Sequence, residues 1–173
     1  MQITYYGNDI LRQECKDVVV DGNTLKKAEE MVRALDKYNG IGLAGPQVGL
    51  SEKIIVIRLN PEDEPIFIFN LRLIDYSEEK NVIEEGCLSL PGIYEKVVRP
   101  EKVHVKYQDA SGKWHDKELE GIMARVFQHE GDHLYGVLFI DHISAVKKRL
   151  LKKKLDNIRK GNIDIEFIPE EDR

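Results

Sequence analysis

The segment His129-Glu130-Gly131-Asp132-His133 constrains the fold of this chain more than any other. If the segment is helical, its two histidines lie one turn apart on the same face and can bind one metal ion. Glu130 follows the first histidine, where its carboxylate can reach a water bound to that ion. Two imidazoles leave a metal short of ligands, so the fold must supply a third ligand from elsewhere in the chain.

The best candidate for the third ligand is Cys87, within Glu85-Gly86-Cys87-Leu88-Ser89. The remaining cysteine, Cys15, is far away near the N-terminus, and the other histidines lack metal-ligand spacing: His104, His115 and His142. Structural zinc sites have four protein ligands, whereas catalytic sites have three and an open position. A Cys-His-His site with an open position is therefore predicted, in which Glu130 transfers a proton from water to a leaving group.

Each part of this site also has an ordinary structural interpretation. Histidines four residues apart often lie on the polar face of an amphipathic helix, and a buried free cysteine usually behaves as a small hydrophobic residue. Two neighbours favour the metal site instead. Gly86 lets the backbone pass close to a ligand, and Asp132 is placed to orient a ligand or a nearby arginine.

Length and composition predict a single globular domain over residues 1–173, with 33% charged and 42% hydrophobic residues. The net charge of −5 argues against a DNA-binding protein. No apolar run approaches the ~18 residues of a membrane span, and the N-terminal residues do not resemble a signal peptide. With only two cysteines, we expect a reduced, cytoplasmic protein rather than a disulfide scaffold.

The spacing of apolar residues predicts an α+β fold. Helices are predicted at 24–39 with Gly40 as C-cap, at 121–134, and at 144–160 with Ser144 as N-cap. Strands are predicted at 53–59, 65–70, 82–83, 103–107 and 113–119, with a hairpin turn at 109–112 and a terminal strand at 163–167. We therefore expect mixed or antiparallel sheets packed around a central metal-binding helix, flanked by N-terminal and C-terminal helices.

A third segment, Gly40-Ile41-Gly42-Leu43-Ala44-Gly45-Pro46-Gln47, is rich in glycine. It lacks the Lys-Ser/Thr of a phosphate-binding loop, and one interpretation is a turn-rich connection after a helix. Its first two glycines permit close approach of an extended backbone. Gln47 offers a neutral amide donor suited to a developing oxyanion.

Together, the three segments resemble the hallmark motifs of the peptide deformylase family. The family motifs are Gly-x-Gly-x-Ala-x-x-Gln, Glu-Gly-Cys-x-Ser and a Gln-His-Glu metal helix, and here they occur in the same order along essentially the whole chain. The resemblance implies a metal-dependent hydrolase that removes the formyl group from the N-terminal formylmethionine of nascent polypeptides and releases formate. It implies one iron(II) ion per chain, replaceable by zinc, nickel or cobalt, bound by Cys87, His129 and His133.

The resemblance implies further roles around this ion. Glu130 would be the general acid and base, and the Gln47 side chain and the Leu88 backbone N–H would stabilise the oxyanion. Backbone groups would hold the substrate in an extended conformation, at Ile41, Gly42 and Gly86. The walls of the methionine pocket would be Ile41, Ile83, Ile122 and Val126, all of which are equally consistent with an ordinary core.

The chain departs from the family pattern at two points. Position 45 is glycine where the family usually has alanine, which we expect to leave more backbone freedom beside Gln47. Some members carry a substrate-binding arginine soon after the cysteine motif, but here none occurs before Arg99. We predict that Arg99 instead pairs with Asp132 and steadies the metal helix.

The segment 144–160 carries eight basic residues opposed only by Asp156. One interpretation is a solvated helix face whose apolar residues pack inward: Val146, Leu150, Leu151, Leu155 and Ile158. The other is a contact with ribosomal RNA, whose phosphates would attract these charges in a salt-dependent manner.

Three other functions compete with deformylation. A metalloprotease would take its third ligand downstream, where Asp141 and His142 are available. A non-catalytic zinc-stabilised binding module would unfold on metal removal without depending on Glu130. A Cys87 nucleophile with a histidine base would form a covalent adduct without metal.

Overall fold

The computed structural model describes residues 1–164 and Pro169 and shows an α+β fold, as predicted. In this part of the chain there are three α-helices: α1 (Gly22–Lys37), α2 (Gly121–His133) and α3 (Ala145–Arg159). The strands are β1 (Gly42–Ala44), β2 (Ile54–Ile57), β3 (Ile66–Tyr76), β4 (Lys80–Gly86), β5 (Tyr94–Pro100), β6 (Lys102–Gln108) and β7 (Trp114–Glu120). They form two antiparallel sheets, of order β1-β2-β3-β6-β7 and β4-β5. None of the helices described is long and apolar enough to cross a membrane.

The five-stranded sheet is covered by α1 on one face and by α2 on the other. Successive side chains of a strand point to opposite faces, and all four residues of β2 are buried. Ile54 and Val56 belong to the apolar cluster that includes α1, whereas Ile55 and Ile57 belong to the cluster that includes Phe127 of α2. The metal helix predicted from the sequence is thus the central helix of the fold.

The C-terminal helix α3 packs in a third apolar cluster. Its residues Leu155 and Ile158 are buried beside Val97 of β5. The prediction that all five apolar residues of this helix point inward is wrong for two of them, since Val146 is 67% exposed and Leu150 is 79% exposed. These two side chains lie among the basic residues of the helix surface.

The helix ends follow local capping rules. Ser144 accepts a hydrogen bond from the Lys147 N–H, as predicted for an N-cap. Helix α1 ends at Lys37 with Tyr38 as its C-cap, two residues earlier than the predicted Gly40 cap, because Asn39 takes the left-handed conformation with φ of 53°. The N–H of Gly40 then donates to the carbonyl of Leu35 at 3.0 Å, which closes a Schellman motif. The predicted terminal strand at 163–167 lies largely outside the described residues.

Asn70 connects the N-terminal segment to the sheet by hydrogen bonds, at a point where the pairing of β3 is irregular. Strand β3 itself ends six residues later than the predicted 65–70. The φ of Asn70 is 55°, and its side chain accepts from the Val18 N–H at 2.8 Å and donates to the Val18 carbonyl at 2.8 Å and to Gln108 Oε1 at 2.7 Å. These bonds hold a buried residue in a conformation that alanine adopts only with strain.

Replacing Asn70 by alanine should lower the free energy of unfolding by about 2–4 kcal/mol, through lost hydrogen bonds and left-handed strain. Urea denaturation measures the change. The matched variant Asn70→Gly loses the same hydrogen bonds, but glycine adopts the left-handed conformation without strain. We therefore expect it to be about 1 kcal/mol more stable than the alanine variant. Equal stability of Asn70→Ala and the wild type would contradict this assignment.

Candidate active site

A cavity of about 990 Å³ opens between β1, the end of β4 and helix α2. All predicted site residues except His133 line this cavity: Ile41, Gly42, Gln47, Gly86, Cys87, Leu88, His129 and Glu130. His133 is 1% exposed and lies behind the lining, next to Cys87. Segments that are far apart in sequence therefore meet at one site.

The three predicted metal ligands form a compact cluster. The candidate ligand atoms of Cys87, His129 and His133 all lie within 4.8 Å of one another. Cys87 Sγ is 3.4 Å from His133 Nε2, and the two imidazole rings are 5.2 Å apart. Two other histidines lie away from the cluster and contact carboxylates, His104 with Asp116 and His115 with Asp109. His142 is nearer and contacts Asp132 at 2.7 Å.

His129 is oriented by a residue that the sequence interpretation assigned no role. The Nδ1–H of His129 donates to Glu85 Oε2 at 2.8 Å, which leaves Nε2 as the candidate ligand atom of this ring. A carboxylate on the far nitrogen is the usual way in which a metal-binding histidine is held in one tautomer. A sequence signal existed, because alternation along β4 places Glu85 two residues from Ile83 on the inward face.

The surroundings of Cys87 favour the thiolate form of its side chain. Burial by itself would raise the pKa of the Cys87 thiol, but the neighbouring His133 and His129 lower the pKa to about 5. The thiolate is the form that binds metals. At neutral pH this side chain therefore presents a soft anionic ligand between two imidazoles.

Glu130 lies in the same cavity without a partner for one of its oxygens. Burial raises the pKa of this carboxyl group. Within the described residues, neither Glu130 Oε2 nor His133 Nδ1 has a hydrogen-bond partner, although buried polar groups are normally satisfied. The unpaired carboxylate oxygen and the sulfur-nitrogen-nitrogen donor set fit a divalent transition-metal ion with a reacting water.

Gly42 is required by the position of Glu130. A Cβ atom at residue 42 would lie 2.5 Å from Glu130 Oε1. The carbonyl of the preceding residue, Ile41, accepts from the Arg58 N–H at 3.0 Å on the β2 side. Because backbone groups alternate in direction along a strand, the N–H and C=O of Gly42 point away from β2 to the open edge of β1.

Gln47 is held with its amide nitrogen toward the cysteine. Its Oε1 accepts from the Ala44 N–H at 2.7 Å, and its Nε2 donates to Cys87 Sγ at 3.3 Å. Close packing, rather than the predicted backbone freedom, explains the glycine at position 45. A Cβ atom there would lie 2.5 Å from the carbonyl oxygen of Glu52. The side chain of Gln47 is buried and has one orientation.

The predicted pairing of Arg99 with Asp132 is confirmed, at 2.8 Å. Arg99 also donates to both oxygens of Glu85, at 2.6 and 3.0 Å. Burial opposes ionisation of Glu85, but His129 and Arg99 lower the pKa of its carboxyl group far below its ordinary value. Arg99 thus links Glu85, which lies behind the candidate ligand His129, to Asp132, which precedes the candidate ligand His133.

The predicted methionine pocket has three exposed walls and one buried wall. Ile41, Ile83 and Ile122 are 47%, 36% and 50% exposed, yet all line the cavity. Val126 also lines the cavity but belongs to the core beside α2. Adjacent exposed apolar side chains at a cavity are typical of a ligand-binding surface.

The chain is similar to known proteins over most of its length. The polypeptide deformylase family model matches residues 1–149. The peptide deformylase of Thermotoga maritima is 43% identical over 158 residues, covering 91% of this chain and 95% of the relative. A relative from Prochlorococcus marinus, also a peptide deformylase, is 40% identical over 88% of this chain and 80% of its own length.

Solved structures agree with this relationship. A peptide deformylase structure from Plasmodium falciparum superposes with a TM-score of 0.88 at 38% identity, covering 92% of this chain and 96% of the other. The crystal structure from Thermotoga maritima gives a TM-score of 0.78 at 42% identity, covering 83% and 97%. These relationships favour neither a metalloprotease nor a binding module. The chain belongs to the polypeptide deformylase family, and it is a hydrolase that removes the formyl group from N-formylmethionyl peptides.

Proposed function

We propose that this chain carries out deformylation with one iron(II) ion held by Cys87, His129 and His133. The cluster of one thiolate and two imidazoles around the cavity supports this ligand set. Zinc, nickel or cobalt would occupy the same ligands, because sulfur and imidazole donors suit all of these ions. His129 would bind through Nε2, since its Nδ1–H is committed to Glu85.

The side chains around the ion perform the proton transfers. When bound, the ion polarises the formyl carbonyl and makes water acidic enough to react at neutral pH. Glu130 accepts a proton from the attacking water and donates it to the nitrogen of the leaving methionine, which frees formate and an amino terminus. Its buried position suits this exchange, because burial brings its pKa closer to neutrality. Gln47 Nε2 and the Leu88 backbone N–H donate to the oxyanion that develops on the formyl oxygen.

The substrate lies extended along the open edge of β1. The N–H and C=O of Gly42 pair with the peptide main chain, and the Gly86 backbone faces it across the cavity. The methionine side chain packs against the apolar walls: Ile41, Ile83, Ile122 and Val126. Affinity then comes from the main chain and from one side-chain pocket, which suits an enzyme that acts on many nascent chains in the cytoplasm.

The observation that carries this proposal is Glu130 in one cavity with Cys87 and His129, backed by His133. Iron-loaded, anaerobically purified protein should release formate from formyl-Met-Ala-Ser but leave acetyl-Met-Ala-Ser intact. The acetyl peptide is the matched control because only the acyl group differs. Cleavage of internal peptide bonds would favour a metalloprotease instead. A covalent adduct on Cys87 in metal-free protein would favour a cysteine nucleophile.

We further propose that α3 contacts ribosomal RNA. Its basic residues Arg149, Lys152, Lys153 and Lys160 have no ion-pair partner among the residues that the structure describes. The exposed Val146 and Leu150 lie on the same helix, so this surface combines free positive charge with apolar area. Phosphates would attract such a surface, and the attraction would weaken with salt.

Ribosome co-sedimentation tests this contact. Reversing Lys152 and Lys153 to glutamate should reduce the bound fraction at low salt and flatten its decline with increasing salt. The control is the double reversal of Lys26 and Lys113, two exposed lysines outside α3, which changes the net charge equally. If both double variants bind like the wild type, α3 is not the contact surface.

A further inference from the structure

Helix α2 carries a polar stripe, Arg125, Gln128, His129 and Asp132, that faces the β4-β5 hairpin. These positions are spaced i, i+3, i+4 and i+7, so they lie along one side of the helix. Gln128 Nε2 donates to the Pro100 carbonyl at 3.0 Å. His129 and Asp132 pair with Glu85 and Arg99 of the hairpin, as described above. Every member of the polar stripe therefore contacts the hairpin.

Arg125 makes the most extensive of these contacts. Its Nη1 donates to Glu85 Oε1 at 2.7 Å and to the Val97 carbonyl at 3.1 Å. Its Nη2 donates to the Asn81 carbonyl at 3.2 Å and also to the Asn81 side chain. Since Asn81 and Glu85 belong to β4 and Val97 to β5, one buried guanidinium holds both strands of the hairpin.

The hairpin and α2 share little apolar packing that would replace these bonds. In the described part of the chain, the buried apolar cluster that contains α2 includes no residue of β4 or β5. The buried apolar residue Val97 packs instead with the cluster of α3. Apolar contacts tolerate small displacements, whereas hydrogen bonds to a planar guanidinium are directional. The position of the hairpin on α2 is therefore set mainly by the polar stripe.

The position of the hairpin determines the position of Cys87, which follows the last residue of β4 directly. His129 and His133 belong to α2 itself. The three proposed ligands thus come from two elements whose relative placement depends on hydrogen bonds. Arg125 lies within this junction but touches none of the three ligands in the contacts described.

We propose that Arg125 is a positioning residue for the metal centre, which holds the hairpin on α2 so that Cys87 meets His129 and His133. This inference rests on the ligand set of the proposed function. Without Arg125, the two histidines keep their helical spacing, but the thiolate loses its fixed distance from them. The loss of Arg125 therefore weakens the binding of a metal ion by the Cys87 thiolate.

Cobalt(II) alone is the probe, titrated into metal-free protein and followed by absorption, because thiolate-to-cobalt charge transfer reports on Cys87. Arg125→Met keeps an unbranched side chain but removes every donor. We expect cobalt to bind about 10–100-fold more weakly, with reduced thiolate absorption. Arg125→Lys should recover part of this loss, since an ammonium group can reach Glu85 but cannot hold both strands at once.

Asn70→Ala is the control, because it destabilises the protein at the sheet without touching the hairpin or α2. It should bind cobalt as the wild type does. Wild-type affinity and thiolate absorption in Arg125→Met would overturn the inference, and so would an equal loss of affinity in Asn70→Ala. If circular dichroism shows Arg125→Met to be unfolded, Arg125→Lys decides, and wild-type cobalt binding by it would refute the role. Tight cobalt binding by a wild type that releases no formate would refute the proposed function but not this inference.

Discussion

Replacing Glu130 by glutamine should lower kcat/KM for deformylation by about 10²–10⁴-fold, the usual contribution of a general acid and base. Glutamine has nearly the same shape but can neither accept nor return a proton. The carboxylate is buried in the cavity beside the candidate ligands and is not one of them. Formate release from formyl-Met-Ala-Ser measures the loss.

The metal content of Glu130→Gln shows whether its activity is lost because the proton acceptor is missing or because the metal site is damaged. Glu130→Gln should retain one equivalent of metal, as measured by elemental analysis, because Cys87, His129 and His133 are unchanged. A variant that retains both metal and wild-type turnover would show that the proton moves through another group. Loss of metal together with activity would instead give Glu130 a structural role at the site.

Replacing Arg99 by methionine should lower the free energy of unfolding by about 3–5 kcal/mol, the typical cost of breaking a buried charge pair from one side. Arg99 is 3% exposed and contacts both Glu85 and Asp132. Its removal leaves two buried carboxylates with fewer compensating donors. Urea denaturation at neutral pH measures the change.

The pH dependence gives this prediction a second test. In the wild type, the lowered pKa of Glu85 contributes stability at neutral pH that is lost as the pH falls below the ordinary range of glutamate. Arg99→Met has already lost much of this contribution, so its stability should approach that of the wild type in acid. The control Arg12→Met breaks an exposed ion pair with Asp141 and should cost less than about 1 kcal/mol. If Arg99→Met and Arg12→Met lowered the free energy of unfolding by the same amount, burial would not be the reason why the Arg99 ion pairs matter.

The sequence predicted the elements whose apolar residues keep a clear period. Helix α2 ends within one residue of its predicted end. Val126 and Phe127 mark its buried apolar side, and the i, i+4 spacing puts His129 and His133 on one side of the helix. The pairing of Arg99 with Asp132 was also predictable, since both residues stood out as charges beside proposed functional segments. Local spacing was sufficient to predict the helix, and opposite charge was sufficient to predict the pair.

Strand β5 and the role of Glu85 were not predicted, for one physical reason. The inward face of β5 carries Val97 and Arg99, and the facing strand carries Glu85. A buried face built from ion pairs shows no alternation of apolar residues, so the sequence pattern does not predict a strand there. Strand β1 was missed because three residues are too few to show any period. The partners of Glu85 come from β5 and α2, so its role became visible only when these elements were assembled.

The shortness of β1 has a consequence for how the protein coexists with its own copies. An unpaired strand edge invites other chains to add to the sheet and is a common origin of aggregation. Here the edge spans only Gly42–Ala44 and gives way at once to the tight turn at Gly45–Val48. A stretch of this length gives a neighbouring folded copy too little ladder to join. The β1 edge of the sheet can therefore stay open in a crowded solution without recruiting strands from other copies of the chain.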